Sequence, residues 1–250
     1  MPIAPARSAL LFARRPFTGF AFIALGAMVL GSGVATSDHA DAGELWAGVA
    51  KQDITDRQAG PVNDTLYVKA LVIMNDAVAV AVVTVDAVAI GEIGRIKNSF
   101  LVDVRSQLAK DLPLKPEHIL VNASHCHGVV SSDVEQRTID AVKAAWQAMV
   151  PVRVGVGVGK EERISENRRL LLKDGSESDV RHAYALPRND DVAGLGPIDP
   201  EIGILRFDRH DGRTLAVVYN FACHPIIGVP SGGNTADFPG FASKAIEETL

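Results

Sequence analysis

The stretch that decides the fold prediction is Leu120-Val121-Asn122-Ala123-Ser124-His125-Cys126-His127-Gly128. An apolar run over Ile119–Val121 is typical of a short buried strand, and the polar residues begin where that strand ends. In α/β proteins, functional groups collect where strands leave the sheet. Side chains alternate on an extended backbone, so His125 and His127 are predicted to point one way and Cys126 the other. This arrangement favours a metal ion held by both imidazoles.

A second apolar strand ends in the same way. The run Leu215–Phe221 leads through Ala222 and Cys223 to His224. Each strand ends in the same pattern, an asparagine and then a histidine next to a cysteine. We therefore interpret the repeat as one shared site and not as a coincidence of sequence. The remaining histidines are interpreted as ordinary core or surface residues: His39, His118, His182 and His210.

Residues 1–42 have the organisation of an export signal. Three arginines precede a mostly apolar run (17–34), and Ala40-Asp41-Ala42 supplies an Ala-x-Ala cleavage pattern. We therefore expect cleavage before Gly43 and an exported chain, periplasmic or secreted. The pair Arg14-Arg15 also matches the arginine pair of a twin-arginine signal. An uncleaved membrane anchor is the alternative, because the apolar run is nearly long enough to span a bilayer.

Composition and charge limit the possible classes of protein and of binding partner. The formal net charge is -5, and removal of residues 1–42, with three Arg and two Asp, makes it -6. A mildly acidic chain without a Lys/Arg stripe argues against a nucleic-acid partner. The remaining residues, 43–250, are enough for one sizeable core, so we predict a single domain.

The periodicity of apolar residues predicts an α/β fold, a layered mixed sheet flanked by helices. Asn75-Asp76 and Asp211-Gly212 supply the turns of two hairpins. The predicted elements are, in chain order, a strand at 45–55, a hairpin at 66–74 and 77–85, a helix at 92–110, a strand at 119–121, a helix that Pro151 ends, an edge or antiparallel strand at 152–158, a hairpin at 202–207 and 214–221, and a helix from 237 to 250.

Three local features of this pattern bear on the site. Asp86 follows the third predicted strand, and capping of the next helix is favoured over a place in the site. Asp237 is predicted to be the N-cap of the last helix, with Pro239 in its first turn. Residues 161–200 have weak periodicity, which is typical of functional or mobile segments. Because the chain stops inside the last helix, we expect the domain at 43–250 to be incomplete, a truncated piece of a longer protein.

The histidines suit a zinc hydrolase. Neutral imidazoles are zinc ligands, and catalytic zinc sites usually have three protein ligands and a water. His125 and His224 are the best ligand pair, and His127 is either a third ligand or a neighbouring base. Asp237 is a candidate orienting partner, because metal-bound imidazoles commonly donate their other N–H to a carboxylate. Amide or ester hydrolysis is the predicted chemistry, since zinc polarises a carbonyl and activates water.

Two further groups keep alternatives open. Arg168, in Asn167-Arg168-Arg169, is interpreted as part of a solvated face, the alternative being a contact with a substrate oxygen. Cys126 and Cys223 either form a disulfide in an oxidising compartment or pack as small apolar groups. The alternation of side chains disfavours direct zinc binding by these thiols.

Several short segments occur in a fixed order along the chain: Ala47-Gly48-Val49-Ala50, Asp53-Ile54-Thr55, the stretch from Asn122 to His127, Asn167-Arg168-Arg169, Ile198-Asp199-Pro200-Glu201, the stretch from Asn220 to Pro225, and Ala236-Asp237-Phe238-Pro239-Gly240. This series resembles the N-terminal part of the catalytic domain of the neutral/alkaline (non-lysosomal) ceramidase family. The resemblance covers nearly all of residues 43–250, and the ordered series is far more specific than any one motif.

The resemblance implies a zinc-dependent amidase that cleaves N-acylsphingosine-type lipids into a fatty acid and a sphingoid base, and hence a lipid substrate and peripheral contact with a membrane surface. It implies zinc ligation by His125 and His224 and a catalytic or substrate contact by His127. Arg168 matches an arginine that contacts the family's site, and Asp237 matches a further position that we include among the candidate catalytic residues. The family's remaining zinc ligands, a Glu and a Tyr, are expected beyond Leu250.

The sequence departs from the family next to the histidines. The family has Thr between them and Ser-Gly-Pro after them, where this chain has Cys126 and Gly128-Val129-Val130. The loop that faces the substrate therefore differs. Two alternatives to a ceramidase remain: an exported zinc hydrolase of another acyl amide or ester, and a catalytically incomplete zinc-binding or lipid-binding domain.

Overall fold

The structure is a computed structural model that describes residues 43–76, 78–179, 187–226 and 234–250. The export signal predicted for residues 1–42 lies outside these ranges, as do His39 and His182. No helix within the described ranges is long and apolar enough to cross a membrane.

The described residues form ten β-strands and three α-helices. In chain order they are β1 (Leu45–Asp53), β2 (Tyr67–Asn75), β3 (Val78–Val85), α1 (Phe100–Asp111), β4 (Ile119–Ala123), α2 (Val134–Gln147), β5 (Val150–Lys160), β6 (Arg169–Leu172), β7 (Glu177–Asp179), β8 (Val192–Leu195), β9 (Glu201–Arg209), β10 (Thr214–Phe221) and α3 (Asp237–Thr249). Seven of these strands form the main sheet, in the order β10-β9-β5-β1-β2-β3-β4. The other three form a second, small sheet, in the order β7-β6-β8. Neighbouring strands of the main sheet are antiparallel, except that β3 and β4 are parallel.

Helices lie on both faces of the main sheet. Buried residues of α1 and α2 share one apolar core with alternate residues of β3. Gly48 in β1 permits the close approach of α2, because a Cβ atom there would lie 2.0 Å from the carbonyl oxygen of Ala145. Lys51 points to the opposite face, where Glu247 of α3 binds it at 2.6 Å and binds Lys69 at 2.9 Å. The predicted α/β fold, a layered mixed sheet flanked by helices, is confirmed.

The main sheet folds over at the junction of β1 and β5. Two residue pairs join these strands, Trp46 with Pro151 and Ala47 with Val150. β10 contacts β1 although β9 and β5 lie between them in the sheet order. Ala47 and Phe207 are buried in a second apolar cluster, against which residues of β10 pack. The two edge strands, β4 and β10, can therefore bring their ends together.

The helix predicted at 92–110 begins later, at Phe100. Positive φ angles at Gly91 and Gly94 take the preceding backbone out of the helical region. Ile93, which matched the apolar spacing, is 61% exposed. These residues instead form a loop after β3, and this loop reaches the candidate site.

Three other boundaries differ from the prediction. Pro151 lies inside β5, because α2 ends earlier, at Gln147. β5 is antiparallel, as predicted, but it is internal, between β1 and β9. The weakly periodic stretch 161–200 contains the strands of the small sheet. Each of these strands has only three or four residues, which is too few to show a periodic pattern in the sequence.

Candidate metal centre

The first candidate histidines lie in an irregular segment after β4. Ser124 continues the sheet, since its N–H donates to the carbonyl of Val85 at 2.9 Å, but His125 has a φ of +64°. This left-handed conformation costs about 1 to 3 kcal/mol and is frequent at functional sites. The prediction of an extended backbone is therefore wrong at His125. Cys126 is nevertheless fully buried, and the ring centroids of His125 and His127 lie 5.5 Å apart.

His224 lies in the segment after β10 and meets these two residues. Its Nε2 atom lies 3.1 Å from Nε2 of His125, 99 positions earlier in the chain. Its ring centroid is 4.7 Å from that of His125 and 5.4 Å from that of His127. One ligand atom from each residue lies within 4.8 Å of the other two. The structure thus assembles a histidine triad (His125, His127 and His224) that can hold a metal ion.

The geometry of the histidine triad fits a tetrahedral metal site. Zinc–nitrogen distances of about 2.0–2.1 Å place two ligand atoms of a tetrahedron about 3.3 Å apart, close to the 3.1 Å between Nε2 of His125 and Nε2 of His224. The Nδ1 atom of His125 lies 2.6 Å from the carbonyl oxygen of Val88. This carbonyl accepts a hydrogen bond from Nδ1–H, so the lone pair of His125 is on Nε2, toward His224.

Asp237 is 1% exposed and acts electrostatically on His127. Burial of the His127 ring and the neighbouring His125 lower the pKa of His127, whereas the carboxylate of Asp237 raises it. The net pKa is lowered, so His127 is neutral at pH 7. The N-cap prediction is off by one residue, because Ala236 is the N-cap and Asp237 is the first helical residue. Its Oδ1 accepts a hydrogen bond from the N–H of Phe238 at 2.6 Å.

Asp64 holds the segment that carries Asp237, and sequence reasoning missed it. One carboxylate oxygen accepts a hydrogen bond from the N–H of Ala236 at 2.8 Å, and the other accepts one from the hydroxyl of Thr235. The hydroxyl oxygen of Thr235 accepts a bond from the N–H of Asp237 at 2.9 Å. Asp64 therefore positions Asp237. No spacing pattern marks Asp64, because its two partners are 171 and 172 positions away.

Asn234 joins the first histidine segment to the segment before α3, and it was also missed. Its side chain donates to the carbonyls of Asp56 at 2.9 Å and Val129 at 3.1 Å, and its Oδ1 accepts from the N–H of Val129. Gly128, which precedes Val129, packs closely against Leu66, because a Cβ atom at this glycine would lie 2.7 Å from the Leu66 side chain. The backbone after His127 is thus fixed by its surroundings.

Asp86 does not cap a helix, contrary to the prediction. Its carboxylate is buried and accepts a hydrogen bond from the N–H of Tyr67 at 2.9 Å, which ties the end of β3 to the start of β2. Burial raises the pKa of Asp86. The helix that it was expected to cap begins at Phe100, after the intervening loop.

Both cysteines carry free thiols in the structure. Cys126 belongs to the main apolar core, and burial raises the pKa of its thiol to about 12. Cys223 is half-buried and follows β10, which lies at the opposite edge of the sheet from β4. The structure therefore agrees with the packing alternative for Cys126 and contains no disulfide between the two described cysteines.

Arg168 lies outside the histidine triad, in the segment before β6. Its side chain is exposed, and no hydrogen bond or ion pair joins it to another described residue. Its neighbours bind elsewhere: the side-chain amide of Asn167 donates to the carbonyl of Pro197 at 2.6 Å, and Arg169 pairs with Glu177 at 3.2 Å. A contact between Arg168 and a substrate stays a prediction.

Comparison with known proteins gives matches to the fold. No protein-family model matches the chain, and no curated protein matches it. The solved structure of neutral ceramidase from Pseudomonas aeruginosa matches with a TM-score of 0.65 and 18% identity, over 83% of this chain and 36% of that chain. A ceramidase complexed with C2 matches with the same TM-score and identity, over 82% of this chain and 35% of that chain. The chain therefore has the fold of one part of the neutral ceramidase structures and spans little more than a third of their length.

Proposed function

We propose that this chain is the N-terminal part of the catalytic domain of a zinc-dependent amidohydrolase that cleaves the amide bond of N-acylsphingosine-type lipids. The observation that carries the proposal is the histidine triad, in which His125 and His224 approach within 3.1 Å from distant parts of the chain. The fold likeness to ceramidases and the ordered series of motifs support the choice of substrate class.

In this proposal His125 and His224 hold the zinc ion, together with ligands from the rest of the protein. Imidazole nitrogens are donors that zinc accepts, and the hydrogen bond from His125 to Val88 sets the tautomer that ligation by His125 requires. A zinc ion bound there supplies a Lewis acid for the substrate carbonyl and lowers the pKa of water.

His127 carries the proton in the proposed reaction. Its lowered pKa keeps the ring neutral, so the ring can accept a proton from the attacking water and pass it to the leaving amine. The carboxylate of Asp237 stabilises the imidazolium that forms between these two steps, and Asp64 holds Asp237 in place. Arg168 is proposed to contact the substrate, with the resemblance alone as support.

The test compares metal content and hydrolysis in the full-length mature protein and in three variants. His125→Ala and His224→Ala each remove a proposed ligand, and His210→Ala removes an exposed histidine as the matched control. We expect about one zinc per chain in the wild type and in His210→Ala. We expect zinc affinity to fall by more than about 100-fold in the other two variants, since even changes around a ligand cost 10–100-fold. Cleavage of a fluorescent long-chain ceramide should be lost with the zinc.

The outcomes separate the parts of the proposal. Zinc without ceramide cleavage would keep the metal site and reject the substrate class. Zinc that stays bound in both ligand variants would reject the triad as the metal site. An absence of zinc from the wild type, together with cleavage that persists after chelation, would reject the metallohydrolase.

A zinc hydrolase of another acyl amide or ester is the second candidate. It is favoured by the residues next to the histidines, where Cys126 and Gly128-Val129-Val130 replace the residues usual in ceramidases. Hydrolysis of short acyl amides and esters, assayed beside ceramide on the same protein, distinguishes the two candidates.

We also propose that the protein is exported, on the strength of the signal pattern in residues 1–42. The mature chain should begin at Gly43 and be recovered outside the cytoplasm. N-terminal sequencing of the fractionated protein checks this, and a cytoplasmic protein that keeps residues 1–42 would contradict it.

A further inference from the structure

An apolar cavity opens beside the histidine triad, between the loop after β3 and the segment after His127. Its volume is about 280 Å³. Arg95 is the charged residue in its lining among the described residues, and the guanidinium of Arg95 is engaged by Asp56. Most of the remaining lining is aliphatic: Val88, Ala89, Ile93, Ile96, Val129 and Val130. The cavity therefore suits an uncharged apolar group.

Two contacts connect this cavity to the histidine triad. Val88 lines the cavity, and its carbonyl oxygen accepts the hydrogen bond from Nδ1–H of His125 at 2.6 Å. Gly128 also lines the cavity and directly follows His127 in the chain. The cavity thus adjoins the first histidine segment through Val88 and Gly128, although neither His125 nor His127 lines it.

We propose that this cavity binds one unbranched alkyl chain of the substrate, about ten carbons long. The identity of the reacting bond rests on the proposed function, whereas the binding of an alkyl chain rests on the cavity alone. An apolar cavity of about 150 Å³ takes the six carbons of benzene. A volume of about 280 Å³ accordingly takes on the order of ten carbons.

A cavity of this size sets a chain-length preference. Each methylene group that enters it improves kcat/KM by about four-fold, because burial of a methylene group is favourable by a nearly constant amount. Carbons beyond about the tenth extend into solvent and add little. Medium-chain substrates are therefore used as well as long-chain ones, and short-chain substrates are used poorly.

The first experiment measures alkyl binding without hydrolysis. Calorimetric titration with 1-octanol is made on the full-length wild type, on Ala89→Leu, which places three more carbons in the cavity, and on His224→Ala. Ala193→Leu, at an exposed position in β8, is the matched control. We expect Ala89→Leu to weaken octanol binding by about 60-fold. Ala193→Leu and His224→Ala should bind octanol like the wild type.

The second experiment identifies which chain of the substrate occupies the cavity. One series of amides varies the acyl chain from about 4 to 16 carbons with a constant small amine, and the other varies the amine chain with a constant acetyl group. We expect kcat/KM to rise and then level near ten carbons in one series and to stay flat in the other. In Ala89→Leu, kcat/KM should level off at a chain length about three carbons shorter than in the wild type.

The failures of the two proposals are distinguishable. If Ala89→Leu binds octanol as tightly as the wild type does, the alkyl site is overturned. It is also overturned if kcat/KM keeps rising up to 16 carbons without levelling off. Octanol binding that Ala89→Leu weakens, in a protein that cleaves no amide, would support the alkyl site and reject the proposed function. If Ala89→Leu does not fold, Ala59→Leu, at an exposed lining position, narrows the same cavity and decides the same point.

Discussion

The two histidine segments, 122–130 and 220–226, share a sequence pattern but differ in support. The first contains the buried residues Cys126 and Val130, and Asn234 binds its backbone from another part of the chain. The second follows an edge strand; its Pro225 is buried and its Phe221 ring packs on Phe238, but its half-buried Cys223 lies outside the main core. Its described contacts include a hydrogen bond from the hydroxyl of Ser165 to the carbonyl of Ala222 at 3.4 Å. Similar motifs are thus supported to different degrees in the fold.

This difference indicates how a metal ion would act on the fold. The first segment is fixed by core packing and hydrogen bonds before any ion binds, and a left-handed residue at His125 is held within it. The second segment has one buried residue, Pro225, and contributes no residue to the main core. We therefore infer that a bound ion stabilises the second segment more than the first, because a ligand orders most where packing orders least.

Metal removal should give the largest effect. At a metal concentration of about 1,000 times the Kd, binding stabilises the folded protein by about 4 kcal/mol, and a chelator removes this stabilisation. Amide hydrogen exchange, followed with and without chelator, should accelerate more in 222–226 than in 122–130. Equal acceleration in both segments would show that they are supported alike.

Replacement of each cysteine by serine should give the next effect. Cys126→Ser places a hydroxyl in the apolar core and should lower the free energy of unfolding by about 1–3 kcal/mol. Cys223→Ser, at a half-buried position, should change it by less than about 0.5 kcal/mol. Urea denaturation measures both. The same ranking should appear in thiol labelling of the native protein, where burial and a pKa of about 12 protect Cys126. Equal labelling rates would contradict the comparison.

Asp86→Asn should give a smaller effect, of opposite sign, near the first segment. Burial raises the pKa of Asp86, so the folded state favours the protonated carboxyl group. The contribution of this preference to the free energy of unfolding is fully present below the pKa that Asp86 has in the unfolded state, about 4. It is lost as the pH rises through the pKa of the folded state. Asparagine keeps an oxygen for the N–H of Tyr67 and removes the charge. The variant should therefore gain stability over the wild type as the pH rises.

Urea denaturation of both proteins across this pH range checks the prediction. Val85→Ala, at a fully buried neighbour of Asp86, is the control, because it should lower stability by a similar amount at every pH. A constant difference between Asp86→Asn and the wild type would show that the carboxyl group has the same pKa in the folded and unfolded states.

Short-range patterns predicted much of the fold. The hairpin of β2 and β3 and that of β9 and β10 follow from apolar runs separated by turn residues, and both are confirmed. The early start of the helix at 92–110 was wrong, because Ile93 matched the apolar spacing without facing the core. Asp64 and Asn234 were missed, because hydrogen bonds to residues distant in the chain leave no periodic signal.

The sequence by itself determined which chemistry stands at the two strand ends: histidines that follow apolar runs, with a cysteine beside each. An apolar run followed by polar residues is enough to mark such positions, since both features can be recognised within a few residues of the sequence. Only the tertiary structure decided that His125 and His224 meet, because β4 and β10 are opposite edges of one sheet. They meet because the sheet folds over at the two residue pairs that join β1 to β5, and burial of Ala47 and Phe207 between its halves favours that arrangement.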